Sequence, residues 1–468
     1  MQNTTFDNTP GVPPPTGAES ASSASHHIVI VGAGIIGLST AFYLSSSQNQ
    51  SVSPHQITLL DTSPTLFACA SGRAGGFLAK DWFAPASAAL GELSFRLHRQ
   101  LADANDGRRR WGYTQSTSLS LASKTNSETE ERQRRRRGDD WLREGMSRVE
   151  ASYSSLSDTK DVDVDDRNVL VPSWLNCEGG EVELSSSRET TAQLDPHDLC
   201  EFLLEAVTQR GVKVRYPVTP LRTVRTAGGD LEGVVITTQS GLTGEETLPC
   251  SHILISAGPW SDRVFQRLFP TSTYRLPISS LAGHSIIIRS PFHQPQHENF
   301  DDEDRRLDCH AVFADIEGCS WHPEVFSRVN GDIYVAGLNA SDIVLPEIAT
   351  DVKEQRPDIA ELIDLTKAML RQSGDIVGTQ GEHKLEVDVI KTGLCHRPVT
   401  PAGKPILARL PDKLLGDLKT KTGGGGGVFV ATGHGPWGIS QSLGTGRIMT
   451  EIILGEETSV DVSQLGLQ

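Results

Sequence analysis

An α/β fold with a buried parallel sheet is predicted by three stretches of the sequence. The first is 26–43, HHIVIVGAGIIGLSTAFY. Its residues 28–31 are β-branched, the composition of a parallel strand buried on both faces. Gly32-Ala33-Gly34-Ile35-Ile36-Gly37 follows at once and fits G-x-G-x-x-G, and 38–44 reads as a helix. The second stretch, 56–61, is a strand QITLL closed by Asp61, 24 residues beyond Gly37. The third is at the far end of the chain. A buried strand over 428–431 runs into Thr432-Gly433-His434-Gly435-Pro436-Trp437-Gly438-Ile439 and then a helix over 440–454.

The glycine spacing has physical content. Gly32 makes a tight turn, Gly34 lets backbone approach a pyrophosphate, and Gly37 lets helix and strand pack closely. Ala33 and Ile36 fill the variable positions between them. The pyrophosphate would lie on the helix N-terminus, where N–H groups and the dipole favour an anion. Asp61 lies close to the offset of about 20 residues expected for an acid that holds ribose hydroxyls. The bland alternative is a chance glycine turn beside an ordinary strand-end Asp. The two signals together outweigh it. A carboxylate there disfavours a 2′-phosphate, so FAD or NAD fits better than NADP.

Composition bounds the rest. The chain has 468 residues, 37% hydrophobic and 22% charged, enough for two domains or one with insertions. A net charge of −16 and a pI near 5.3 argue against nucleic acid or an anionic membrane surface as partner. No apolar run reaches the roughly 18 residues that span a bilayer. Residues 1–25 are rich in Ser, Thr, Pro and Ala, without the basic and apolar regions of a secretory signal, and are expected to be a disordered tail. The last residues are not a peroxisomal address. Seven widely spaced cysteines without C-x-x-C point to free thiols in a reducing, cytoplasmic compartment.

Between the glycine turns the chain alternates. Residues 67–79 are small and Gly-rich, a loop that lets a flat ligand lie against backbone. A helix is expected over 87–103. Residues 122–168 carry acidic blocks around an arginine run and little apolar content, the pattern of a solvated insertion. Asp195-Pro196 caps a helix with an apolar face through Leu199, Phe202, Leu203 and Ala206. Strands are expected over 213–218, 234–238 and 252–256, the last running into Ala257-Gly258-Pro259-Trp260-Ser261. Residues 286–289, 310–313 and 332–335 read as an antiparallel sheet, and 360–370 as a helix. Five glycines at 423–427 form a flexible tip. Cys309, His310, Cys319 and His322 fit no zinc spacing, and strand positions explain them, so no metal is expected.

With these parts in order, the chain resembles the FAD-dependent amine and D-amino-acid oxidoreductases over about 28–454, the insertion apart. The likeness is carried by VGAGIIG, the strand ending at Asp61, SGRAGG at 71–76 and the helix–strand unit ending at Val218. It continues through SAGPWS at 256–261, VNGDIYVAG at 329–337, HRPVTPAGKPI at 396–406 and ATGHGPWGIS at 431–440. The wording is similar to a fungal subgroup without a defined substrate, some of whose members are tied to endosomal sorting. The resemblance implies a Rossmann-type FAD-binding domain of the glutathione-reductase kind, interleaved with an antiparallel-sheet substrate domain. The expected division is 26–110, 190–262 and 390–458 for FAD, and 111–189 with 263–389 for substrate. The implied FAD contacts are Gly32, Ala33, Gly34, Ile36, Gly37, Asp61, Ser71, Gly72, Ala74, Gly75, Val218, Gly258 and Trp260. Further on they are Cys395, Gly403, Gly433, Gly435, Pro436, Trp437, Gly438 and Ile439.

Arg397 matches the Arg-Pro pair that supplies a carboxylate-binding guanidinium in D-amino-acid oxidases, and a planar fork suits that task. The alternative is an arginine that holds its own loop. His434 sits on the turn expected beside the flavin, either as an acid–base group or as a packing and cofactor contact. Trp437 departs from the residues common there. FAD is expected without a covalent bond. The alternative is a thioether at Cys395, which four residues separate from Thr400-Pro401, as in the sarcosine-oxidase branch. The implied activity is oxidation of a C–N bond of a small amine or amino acid by hydride transfer to flavin N5, with O2 as acceptor. The rival reading is a flavin-binding protein with little turnover in endosomal trafficking. A nicotinamide dehydrogenase is disfavoured because it does not require the C-terminal GHGPWG turn. Protein partners are not legible in the sequence.

Overall fold

The structure, a computed structural model, describes residues 26–49, 51–123, 171–178, 180–238, 244–293, 309–316, 319, 321–371, 387–421 and 425–467. The expected tail, nearly all of the expected insertion and part of the glycine tip lie outside them. The first sheet has six strands, in spatial order β17 (Ile406–Leu410), β18 (Gly427–Thr432), β11 (His252–Ile255), β1 (Ile28–Val31), β2 (Ile57–Leu60) and β7 (Lys213–Arg215). All but β17 run parallel. Ile28 stands opposite both Ile57 and His252, and every residue of β1 is buried. That is the environment its β-branched composition suits.

Helices cover one face of this sheet. α1 (Ile35–Ser45) packs against α8 (Ser442–Leu454), and α5 (Pro196–Gln209) lies beside them. Leu38, Leu44, Leu199, Leu203, Leu443 and Ile448 meet in one core. Each such side chain contributes roughly 1.5–3 kcal/mol when fully buried. Two glycines allow the first turn to close. Gly32 has φ +109°, and a Cβ on Gly37 would lie 2.0 Å from the Gly32 carbonyl oxygen. No larger residue fits the second position without moving the strand–helix turn.

A second sheet holds nine strands. In order these are β16 (Asp388–Val399), β12 (Ser279–Arg289), β15 (Asp332–Ala340), β14 (Glu324–Ser327), β13 (Cys309–Asp315), β4 (Thr114–Ser123), β6 (Thr191–Gln193) and β3 (Phe77–Ala79), with β5 (Gly180–Ser186) beside β4. It is mixed rather than wholly antiparallel, because β13 pairs with β4 in parallel. Strands β10 (Glu246–Pro249), β9 (Leu231–Thr238) and β8 (Val218–Arg225) form a small third sheet. The strand expected over 213–218 is two strands in different sheets. Pro217 between them has no N–H for a ladder, and the chain turns there. The remaining helices are α2 (Ala70–Arg73), α3 (Pro85–Ala104), α4 (Gly107–Trp111), α6 (Ser261–Leu268) and α7 (Arg356–Met369).

One buried ion pair joins these parts. Asp195 caps α5 by accepting the N–H groups of His197 and Asp198. Its other oxygen accepts Arg328 Nη1 at 2.5 Å, from the turn between β14 and β15. Arg328 Nη2 also donates to the Ala74 and Gly75 carbonyls, each at 3.3 Å. Arg328 is 5% exposed, so its charge has no aqueous alternative.

Arg328→Met should therefore lower unfolding free energy by about 1.5–3 kcal/mol, the worth of hydrogen bonds made by a charged group, because the Asp195 left behind is only partly buried. Urea unfolding of the two proteins reads this directly. A loss under 1 kcal/mol would show that the pair does not hold the two sheets together.

Candidate cofactor and substrate cleft

The first turn, the small loop and the large sheet enclose a cleft of about 1500 Å³, counted to its solvent-open mouth. It begins where β1 meets α1. Gly32, Gly34, Ile35 and Ile36 line it, and no side chain of the turn itself caps α1. Ser71 reaches across from α2 and accepts the N–H of Ile35 at 3.0 Å. Asp61, at the end of β2, accepts from Ala33 N at 3.1 Å and Ser63 N at 2.9 Å. Burial pushes its carboxyl pKa up, and these N–H groups pull it back. A glycine wall, a helix start and a strand-end acid converge on one side of the cleft. These residues fit a dinucleotide.

The structure brings most of the expected contacts to the cleft wall. Gly32, Gly34, Ile36, Asp61, Ser71, Ala74, Gly75, Gly258, Trp260, Cys395, Arg397, His434, Gly435, Pro436, Gly438 and Ile439 all line it. Seven others stand behind it. Ala33 orients Asp61, Gly37 closes the helix packing and Gly72 abuts Phe67. Val218 donates its N–H to the Asp61 carbonyl at 2.7 Å, and Gly403 turns the chain beyond β16 onto Thr400. Gly433, with φ +83°, faces Thr400. Trp437 points away into an aromatic group with Phe77, Trp82 and Phe83. The glycine turn after β18 does not lead straight into the helix. It first forms a short 3-10 turn, Gly435–Trp437, and α8 starts at Ser442.

The opposite wall is the large sheet. Arg397, Cys395 and Tyr334 face the cleft from β16 and β15. Arg397 Nη1 donates to Asn339 Oδ1 at 2.5 Å. Burial works against its charge, but Cys395, Glu324 and Tyr334 outweigh burial and hold its pKa above the usual value. The Tyr334 hydroxyl donates to the Arg73 carbonyl at 3.2 Å, and burial with Cys395 pushes its pKa up to about 12. His434 is buried, shares a hydrogen bond of 3.0 Å with Thr445 Oγ1, and has its pKa lowered to about 3 by burial. An imidazole held neutral in this way carries no charge at neutral pH and keeps one ring N–H for a hydrogen bond.

A strap over 345–349 closes one end of the cleft, and sequence reasoning missed it. Trp260 Nε1 and Arg263 Nη1 donate to the Pro346 carbonyl at 2.8 and 2.6 Å. Glu347 pairs with Arg267, and Ala349 N donates to Ser63 Oγ at 3.2 Å. Ile348 and Ala349 then line the cleft. The strap carries no motif, and only the Pro346 turn marks it in the sequence. Of the residues weighed for metal, His310 shares a hydrogen bond with Thr117, and His322 lies 3.8 Å from Asp315. Among the described residues no helix is long and apolar enough to cross a membrane.

The profile of FAD dependent oxidoreductases (DAO) matches residues 27–452. The chain belongs to the FAD-dependent oxidoreductase family. Within known proteins it is 26% identical to C1F5.03c of Schizosaccharomyces pombe, an oxidoreductase by name, over 95% of this chain and 98% of that one. It is 24% identical to TDA3 of Saccharomyces cerevisiae, likewise an oxidoreductase by name, over 95% and 94%. Glycine oxidase from Geobacillus kaustophilus shares the fold, with a TM-score of 0.63 at 18% identity, covering 95% of this chain and 99% of that one. The family implies FAD, and the cleft of this oxidoreductase has the walls to hold it.

Asp61→Ala should weaken FAD binding by about 1.5–3 kcal/mol, the worth of a hydrogen bond to a charged acceptor. Equilibrium dialysis of the apoprotein measures it, and an unchanged Kd would remove Asp61 from the site. A second outcome concerns acid. His434 and His98, the latter lowered to about 4 by burial, are neutral in the folded oxidoreductase. The unfolded chain binds protons at both below pH 6.5. The stability they retain is complete above pH 6.5 and is lost as pH falls toward 4, by up to about 1.4 kcal/mol per unit and per histidine. Thermal melts from pH 7 to 4.5 should show this slope, and His98→Gln should flatten it.

Proposed function

We propose that this oxidoreductase oxidises the C–N bond of a small amine or amino acid that carries a carboxylate, with dioxygen as acceptor. The observation that carries the reading is Arg397. It is the guanidinium that β16 presents to the cleft, opposite the dinucleotide wall. Its fork suits bidentate contact with a carboxylate, and Asn339 fixes its orientation by holding Nη1. Bound FAD would accept a hydride from the substrate C–H.

The chain's own contribution is binding, orientation and exclusion of water. Phe77, Phe313, Phe326 and Trp437 form a dry aromatic group behind the cleft. Tyr334 keeps its proton and places an apolar ring edge with a hydroxyl beside Arg397. His434 stays neutral, so it adds no charge near the ring system. A cation fixed on the sheet wall selects an anionic group and sets the distance of the neighbouring C–N bond from the opposite wall. The cofactor is held without a covalent bond in this reading.

Anaerobic addition of an amine and amino-acid panel tests the proposal through loss of the absorbance of oxidised flavin. Carboxylate-bearing donors should bleach it, and oxygen uptake should follow on admission of air. Arg397→Ala should raise KM for such a donor by about 10-fold or more with FAD content unchanged. Arg397→Lys should recover only part of the loss, because an ammonium lacks the fork. Wild-type reduction rates in both variants would overturn the assignment.

A further inference from the structure

Oxidation of a C–N bond leaves two thiols at the cleft unused. Cys69 sits at the N-terminal boundary of α2, and Cys395 lies in β16. Both line the cleft, both are buried, and they share one apolar cluster with Ala282, Val352 and Leu394. β16 is the outer strand of its sheet, so its edge backbone groups need partners. Cys69 supplies them. The N–H of His396 donates to Cys69 Sγ at 3.3 Å, and that thiol faces the His396 carbonyl oxygen at 4.0 Å. Cys69 Sγ therefore touches the very amide that joins Cys395 to His396.

The two thiols are also chemically unequal. Cys395 is hydrogen-bonded to the Arg397 guanidinium. Cys69 feels Arg73, but burial, with Cys395 adding to it, outweighs that cation and pushes its pKa up to about 12. Two thiols at one cleft wall, one of them beside a guanidinium, form a pair that can close to a disulfide.

We propose that Cys69 and Cys395 are a redox-active dithiol that exchanges a pair of electrons with the bound FAD. In the oxidising direction both S–H bonds break and one S–S bond forms. FAD takes the two electrons and one proton, and the second proton leaves to solvent. In the reverse direction reduced FAD returns the electrons, the S–S bond breaks and both sulfurs are protonated. The loaded protein then stores four electrons, two on the flavin and two on the sulfurs. This inference rests on FAD in the cleft and not on which amine is the donor.

The test needs no substrate. Holoprotein isolated in air is titrated with dithionite under argon, with flavin absorbance followed. Because each couple takes two electrons, the wild type should consume about two equivalents per FAD. Cys69→Ser and Cys395→Ser should each consume about one. Alkylation of denatured protein, digestion and mass spectrometry should find the Cys69 and Cys395 peptides joined before reduction and separately alkylated after it. About one equivalent in the wild type, with both thiols alkylated in the air-oxidised protein, overturns the proposal. A Cys395 peptide carrying the mass of flavin also overturns it, because that sulfur is then spent on the cofactor. The wild-type count decides even if a serine variant does not fold. Uptake of two equivalents with no bleaching by any amine would keep the dithiol and remove the C–N donor reading. A chain that binds no flavin overturns both.

Discussion

The ion pair between Arg328 and Asp195 is the constraint on which the cleft depends. Each partner does several tasks at once. Asp195 starts α5 and takes the arginine; Arg328 leaves the large sheet and holds the carbonyls of Ala74 and Gly75. The loop that lines the cleft is thus fixed from the sheet that forms the opposite wall. A buried pair of this kind adds little net stability over an apolar replacement, but removing one member is costly. It sets where the walls stand.

The same loop shows how closely the walls approach. A Cβ on Gly75 would lie 2.4 Å from the Phe326 ring, so the large sheet rests directly on backbone. Phe326 in turn stacks on Phe77 and Tyr334. The contact carries apolar surface from the large sheet onto the loop that lines the cleft. Inside, burial keeps Tyr334 protonated and His434 neutral, so Arg397 is the charge that meets a ligand from the sheet side. A cation in low-dielectric surroundings acts strongly on a carboxylate, and it also acts on the thiol next to it. The proposed substrate capture and the proposed thiol chemistry therefore share one guanidinium.

The strap at 345–349 adds a further constraint. It hangs from Trp260, Arg263 and Arg267 on one side and from Ser63 on the other. Most of its bonds go to main-chain carbonyls and amides, so its path is set by backbone rather than by side-chain identity. Its sequence could change widely while its position stayed the same, which explains why no motif announces it.

Local chemistry made much of this protein legible from the sequence alone. Gly32 and Gly37 are readable because only glycine tolerates that turn and that helix contact, and Asp61 because its offset follows from one strand–helix–strand unit. The β-branched run at 28–31 and the apolar run VFVA at 428–431 identify buried strands for the same local reason. Arg397 and Cys395 were legible through their neighbours in the motif. What the tertiary structure decided are the meetings of distant segments. The strand expected over 213–218 divides between two sheets, β13 pairs in parallel with β4, and Trp437 turns away from the cleft into an aromatic core. Cys69 meets the amide after Cys395, 326 positions along the chain, and Arg328 meets Asp195. Residue spacing encodes contacts within one turn of structure, whereas these depend on how whole sheets and helices pack, and no local pattern records that.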